Sequence, residues 1–223
     1  MATTMEAPSV KSSTKAAAAA PPASKFSVPK NLRLAGGIAL GAVLLIAWFV
    51  IVSGRRKDEF ASRALEQARS AAESGNLPLA ASELQKVITT YSGTDAAQEA
   101  VITLNQVRLV NGQQELAAVS LQDFIKSNPD KKYLTPGYAL LGRALENSNR
   151  AEDAAKAFQS ASDNADVDYL RAEYLNDAGR AYVAAGKKEE AIAAYRKVIQ
   201  DFPESNSKVE AQVRLAELTQ GKM

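Results

Sequence analysis

One period constrains this chain more than any other feature: between Gly75 and Val198, four columns of residues recur every 37 positions. Gly75, Gly112, Asn149 and Gly186 form the first column. Ala80, Ala117, Ala154 and Ala191 form the second, and Leu84, Leu121, Phe158 and Tyr195 the third. Val87, Phe124, Ala161 and Val198 complete the set. Within a unit the last three columns are spaced by four and then three, which puts them on one face of a helix. A Gly or Asn ahead of that face marks a turn out of a preceding helix. Each unit therefore reads as a helical hairpin. A run of hairpins, each too small to hide its own apolar face, predicts an all-α solenoid.

The frame predicts helices at 59–74 with 77–91, 94–110 with 114–127, 136–148 with 151–163, and 168–185 with 188–201. Pro78 suits a first helical turn. Pro129 and Pro203 disfavour helix at Asn128 and Phe202 and so close two of the second helices. Ser207-Lys208-Val209-Glu210 has the form of a capping box and opens a last helix to Leu218 that covers the end of the stack. Val209, Val213 and Leu215 are expected to face the stack, with Lys208, Arg214 and Glu217 toward water.

Residues 172–205 carry a more specific pattern: Leu175, Ala178, Gly179 and Tyr182, then Ala191, Tyr195 and Pro203. This resembles one tetratricopeptide (TPR) repeat, W-x2-L-G-x2-Y followed by A-x3-F and P, with three residues replaced and the spacing kept. Gly179 and Ala191 are small where two helices would cross closely, and Tyr182 and Tyr195 are large where the gap must be filled. The first unit departs most, with Ala64, Gln67 and Ala68 where Leu or Gly is expected. The expected fold is a TPR-like α-solenoid of about four hairpins plus a C-terminal capping helix over residues 60–219.

Ahead of the repeats, residues 1–30 are rich in Ala, Pro, Ser and Lys and read as a disordered tail. Leu34 to Val52 then runs nineteen residues without a charge. A helix of that length spans about 28 Å, close to a bilayer core, so 34–53 is expected to be a transmembrane helix. Trp48 suits an interface ring, and Gly37 and Gly41 form a G-x-x-x-G face through which two anchors could associate. A cleaved signal peptide is the main rival. Residues 54–59 read as a basic juxtamembrane linker. Lys and Arg nearly balance across the span, so charge leaves its orientation open.

Composition excludes several functions. The chain has no Cys and no His, which removes the thiol nucleophile, the commonest general base and the commonest metal ligands. No cofactor is implied and an enzyme is not expected. The net charge of +2 conceals a split: residues 1–57 hold eight Lys and Arg against Glu6, leaving the rest with a surplus of five acids. An acidic repeat domain argues against nucleic-acid binding.

The TPR resemblance implies that the first helices line a concave groove. The residue after the Gly position then gives a ladder of Arg69, Gln106, Arg143 and Arg180, with Asn147, Asn176 and Asp177 beside it. Such a ladder could receive acidic segments of a protein partner. The competing reading pairs these arginines with Glu66, Glu146 and Glu173. The Lys and Asn of chaperone-tail clamps are absent, replaced by Leu65, Ile102 and Ala139. In layout the chain resembles the ancillary Sec translocon subunit family of Gram-negative bacteria, and its ending resembles periplasmic envelope TPR proteins. That resemblance implies a single-pass inner-membrane adaptor with a periplasmic repeat domain and Sec or envelope partners. The alternatives are a cytoplasmic repeat domain and a self-associating scaffold.

Overall fold

The computed structural model describes residues 30–221, and for residues 30–42, 46, 50 and 51 the backbone alone. The expected tail at 1–30 thus lies outside the described residues, apart from Lys30. Among the described residues the chain is all helix, in nine elements. These are α1 (Lys30–Glu73), α2 (Leu77–Thr90), α3 (Asp95–Val110), α4 (Gln114–Lys126) and α5 (Lys131–Asn147), then α6 (Ala151–Asn164), α7 (Asp168–Ala184), α8 (Lys188–Asp201) and α9 (Ser207–Thr219). Two compact units divide the chain after Trp48.

In the first unit, the described side chains of Val43, Leu44, Leu45 and Trp48 are all exposed. Among the described residues no helix is long and apolar enough to cross a membrane. Most of the uncharged stretch, including Leu34, Gly37 and Gly41, lies outside that description, and Val52 is half-buried.

The second unit is a stack of hairpins whose turns obey the period. Gly75, Gly112, Asn149 and Gly186 all adopt positive φ, between 59° and 80°. At each turn the next residue's N–H reaches back five residues to a carbonyl: Asn76 to Ala71, Gln113 to Arg108, Arg150 to Leu145 and Lys187 to Tyr182, at 2.8–2.9 Å. This is the Schellman closure, and Asn tolerates the left-handed conformation well enough to replace Gly once. The second helices then start in step, at Leu77, Gln114, Ala151 and Lys188.

The two helices of a hairpin meet at a pair of complementary volumes. Gly142 and Gly179 stand opposite Phe158 and Tyr195 of the third column, and the same position in the first two units holds Ala68 and Asn105, again 37 apart. Where the partner is Leu84 or Leu121 the small residue is Ala68 or Asn105; where it is Phe158 or Tyr195 the small residue is Gly. A Cβ on Gly142 would stand 2.6 Å from Cε1 of Phe158, and one on Gly179 2.7 Å from Cε1 of Tyr195. All four partners are fully buried, each contributing about 1.5–3 kcal/mol of apolar burial. Two cores result: one joins the first hairpin to α3, the other runs from α3 to α9.

Four expectations are corrected. Residues 54–59 are not a linker but part of α1, because good helix formers such as Arg55, Arg56 and Lys57 carry the helix through and Arg63 pairs with Glu59 at 2.5 Å. The fifth helix begins at Lys131, not 136, and holds Pro136 inside it. Tertiary contacts offset the lost backbone bond: Tyr133 is buried, its hydroxyl donating to Asp95, and Lys131 pairs with Asp166 at 3.0 Å. Ser207 is not a cap. Asn206 holds that place without a side-chain bond, and the Ser207 N–H donates to Ser205 Oγ at 3.2 Å. On α9 Leu215 faces the stack as expected, joined by Ala211, but Val209 and Val213 are 66% and 52% exposed.

The Gly–aromatic crossings generate a prediction of sign. Gly to Ala in a helix ordinarily stabilises by about 1 kcal/mol. At position 179 the new methyl would stand 2.7 Å from the buried Tyr195 ring, so Gly179→Ala is expected to destabilise by about 1–3 kcal/mol. Adding Tyr195→Leu recreates the Ala68–Leu84 pairing and should recover most of the loss. Urea denaturation followed by helical circular dichroism of the two variants measures both effects.

Candidate functional site

First helices approach one another at two places along the stack, and no pair of second helices does so to the same extent. Among the described residues α3 touches α5 and α7 touches α9, while no second helix makes a comparable contact with the next. Arg180 of α7 also reaches Glu146 of α5, at 3.3 Å. The first helices therefore share one side of the stack, which is its inner wall.

The ladder lies on that wall, but most of its charge is satisfied within the chain. Arg69 pairs with Glu66 at 3.2 Å and with Glu99 of α3. Arg180 pairs with Asp177 at 3.1 Å as well as with Glu146. For these two arginines the competing reading holds for Glu66 and Glu146, with Glu99 and Asp177 in addition. Burial holds the Asp177 carboxyl above its usual range, against the pull of Arg180 and then of Arg143. Gln106 and Arg143 are exposed, as is Asn147, and among the described residues no acid forms an ion pair with Arg143. Asn176 is a correction: it is 6% exposed, and its Nδ2 donates to the Ser207 carbonyl at 2.8 Å. That bond ties α7 to the start of α9.

Between α1, α3 and α5 the wall opens into a cleft of about 370 Å³. Ile102 and Pro136 supply apolar surface to it, and Arg69, Glu99, Gln106 and Lys132 supply polar groups. At one end sits a triad that sequence reasoning missed. The Tyr133 hydroxyl donates to Asp95 Oδ1 at 2.9 Å, and Lys132 pairs with the same carboxylate. Burial first, then the bond to Asp95, pushes the Tyr133 phenol up to about 12. The Lys132 bond, with that of Tyr133, holds Asp95 below its usual range despite some desolvation. A larger cleft of about 450 Å³ lies beside the α6–α7 connection, with Arg171 in its lining. Arg171 already donates to the Ala165 carbonyl at 2.8 Å and lies 3.7 Å from Asp168, so this cleft offers a ligand less.

Sequence reasoning also missed a buried polar link in the second hairpin. Asn105 is fully buried; its Nδ2 donates to Ser120 Oγ at 3.1 Å, and Arg108 donates to its Oδ1 at 3.1 Å. The signal was present: Asn105 occupies a column otherwise filled by Ala or Gly, and Arg108 stands where the last unit has Tyr182.

An inner wall built by repeated hairpins is the architecture of a helical repeat protein. The sequence matches the family model described as a tetratricopeptide repeat-like domain over residues 31–220, so the chain belongs to the TPR-like family. Its structure is similar to that of MamA protein, with a TM-score of 0.59 at 22% identity over 74% of this chain and 83% of that one. TPR-like repeats of a kinesin light chain from Podosopora anserina give 0.57 at 18% identity, over 72% of this chain and 85% of theirs. YrrB, described as a TPR protein with an unusual peptide-binding site, gives 0.52 at 18%, over 69% of this chain and 74% of that one. At these identities the likeness is one of fold. No curated protein matches the sequence. TPR domains are in general protein–protein interaction modules and typically non-enzymatic scaffolds.

The triad has a pH signature. Because the Tyr133 phenol titrates higher in the folded chain than when unfolded, its contribution is whole below about pH 10 and is lost as pH rises toward 12. Ultraviolet titration should show a late group of tyrosinates, because burial also raises the phenols of Tyr174, Tyr182 and Tyr195. Tyr133→Phe should remove one tyrosinate from that late group and cost about 1 kcal/mol, read as a lower melting temperature at neutral pH.

Proposed function

We propose that this protein is a membrane-tethered adaptor that holds an extended segment of a partner protein along its inner wall. The observation that carries the reading is the cleft between α1, α3 and α5. Its volume falls within the range of ordinary ligand sites, and its mixture of apolar surface with both signs of charge suits a peptide. Since Arg69 and Arg180 are already paired within the chain, Arg143 is the ladder's contact for an acidic group on the partner. The description of YrrB as peptide-binding supports a peptide ligand by analogy of fold.

The tether is the uncharged stretch from Leu34 to Val52, whose length matches a bilayer core. Attachment to a membrane raises the local concentration of the wall there, so weak contacts suffice. By its resemblance in layout to ancillary Sec translocon subunits and periplasmic TPR proteins, the adaptor works at a bacterial inner membrane. Its repeat domain stands in the periplasm, near secretion or envelope-assembly machinery.

A photo-crosslinking residue at Gln106 or Arg143, in intact cells, is expected to capture protein adducts that one at Ser82 on α2 does not. Arg143→Glu should reduce recovery of the same adducts about tenfold or more, since the exposed substitution leaves the fold alone. Equal capture from Gln106 and Ser82 would remove the inner wall as the site. A topology reporter fused after Met223 reads the compartment: activity on the cytoplasmic side would overturn the periplasmic placement.

A further inference from the structure

The repeat frame places the two exposed valines of α9 at positions that preceding units cover: the Val209 position is buried at Ala61 and Ala172 and half-buried at Gln98 and Thr135. Val209 is four periods on from Ala61, and Val213 four periods on from Leu65. Ala61 and Leu65 are almost fully buried, packed in one core with Ala96 and Ala100 of the next first helix. The position of Val213 is also buried at Ile102, Ala139 and Asn176. On α9 both valines are exposed, and with half-buried Ala216 they make a stripe without charge along the helix.

The other end of the stack is different. The positions of Ala96 and Ala100, which pack back against the preceding unit, are Glu59 and Arg63 on α1. Both are exposed and paired with one another at 2.5 Å. Seating the charged front end of one copy on the apolar rear end of another would strip that pair of water with nothing gained. Two rear ends match. Pairing α9 with α9 about a two-fold axis hides both stripes at once and closes.

We propose that α9 is a self-association face, and that a second copy of this chain covers Val209 and Val213 through its own α9. The contact continues the packing between consecutive repeats, with one first helix laid on another. Val213 lies near the middle of the stripe and so close to the two-fold axis in an antiparallel pair.

The chain contains no cysteine, so single-cysteine variants report the contact cleanly. In mild detergent the full chain is expected to show a dimer mass by light scattering. Val213→Glu should raise the dimer dissociation constant at least tenfold with the circular dichroism unchanged. Under air oxidation Val213→Cys should form a disulfide-linked dimer at least tenfold faster than Ser82→Cys on α2. A monomer throughout would overturn the proposal. So would a dimer indifferent to Val213→Glu, which would place association elsewhere, as at Gly37 and Gly41. Equal rates of crosslinking from positions 213 and 82 would do the same. None of these outcomes bears on the inner wall, whose test is separate.

Discussion

The repeat domain depends on how closely the two helices of each hairpin can cross. Side chains at the crossing must together fill one fixed volume, because the turn and the backbone closure behind it are the same in every unit. Gly179 with Tyr195, and Gly142 with Phe158, solve that constraint with all the volume on one side. Ala68 with Leu84, and Asn105 with Leu121, divide it differently. Interiors pack at near-crystalline density, so a change on either helix obliges a change on the other. With the crossing set, the angle of each hairpin is set, and the stack follows by repetition.

Connections between units use different chemistry. Lys57 donates to the Ser92 carbonyl at 2.7 Å, Gln98 exchanges hydrogen bonds with Asp130, Lys131 pairs with Asp166, and Asn176 donates to Ser207. Each ties a first helix to the segment that leads into, or opens, the following one. The exposed ones contribute little individually, about 0–1 kcal/mol, and only the Asn176 bond is buried. Their effect is to orient successive units, whereas the buried columns supply the stability. The same division governs the inner wall: Arg69 and Arg180 brace neighbouring first helices, which leaves Gln106, Arg143 and Asn147 facing outward from the wall.

The fold was legible because backbone demands and volume demands both leave residue types behind. A left-handed turn calls for Gly or Asn, and a close crossing calls for Gly or Ala, so Gly75 to Gly186 and Ala80 to Ala191 could be read directly. Helix ends were less legible. The repeat frame started the fifth helix at 136, and the burial of Tyr133 carried it back to Lys131. The site was legible only in outline. The columns placed Arg69, Gln106, Arg143 and Arg180 on one wall, but not which cations were already neutralised. That depended on Glu99 and Glu146, which come from neighbouring helices 30 and 34 residues away. Asn176 reads as polar and available in one dimension, yet the start of α9 covers it.

By itself, then, the sequence determined the class of fold, the number and phase of the hairpins and the position of their turns. These follow from local conformational preference and from a period that survives any arrangement of the units. Only the tertiary structure decided which faces are covered. Val209 and Leu215 are both apolar residues on one short helix, and no local rule separates them. One meets α7 and α8 and the other meets water, because burial belongs to the neighbours a residue acquires and not to the residue alone.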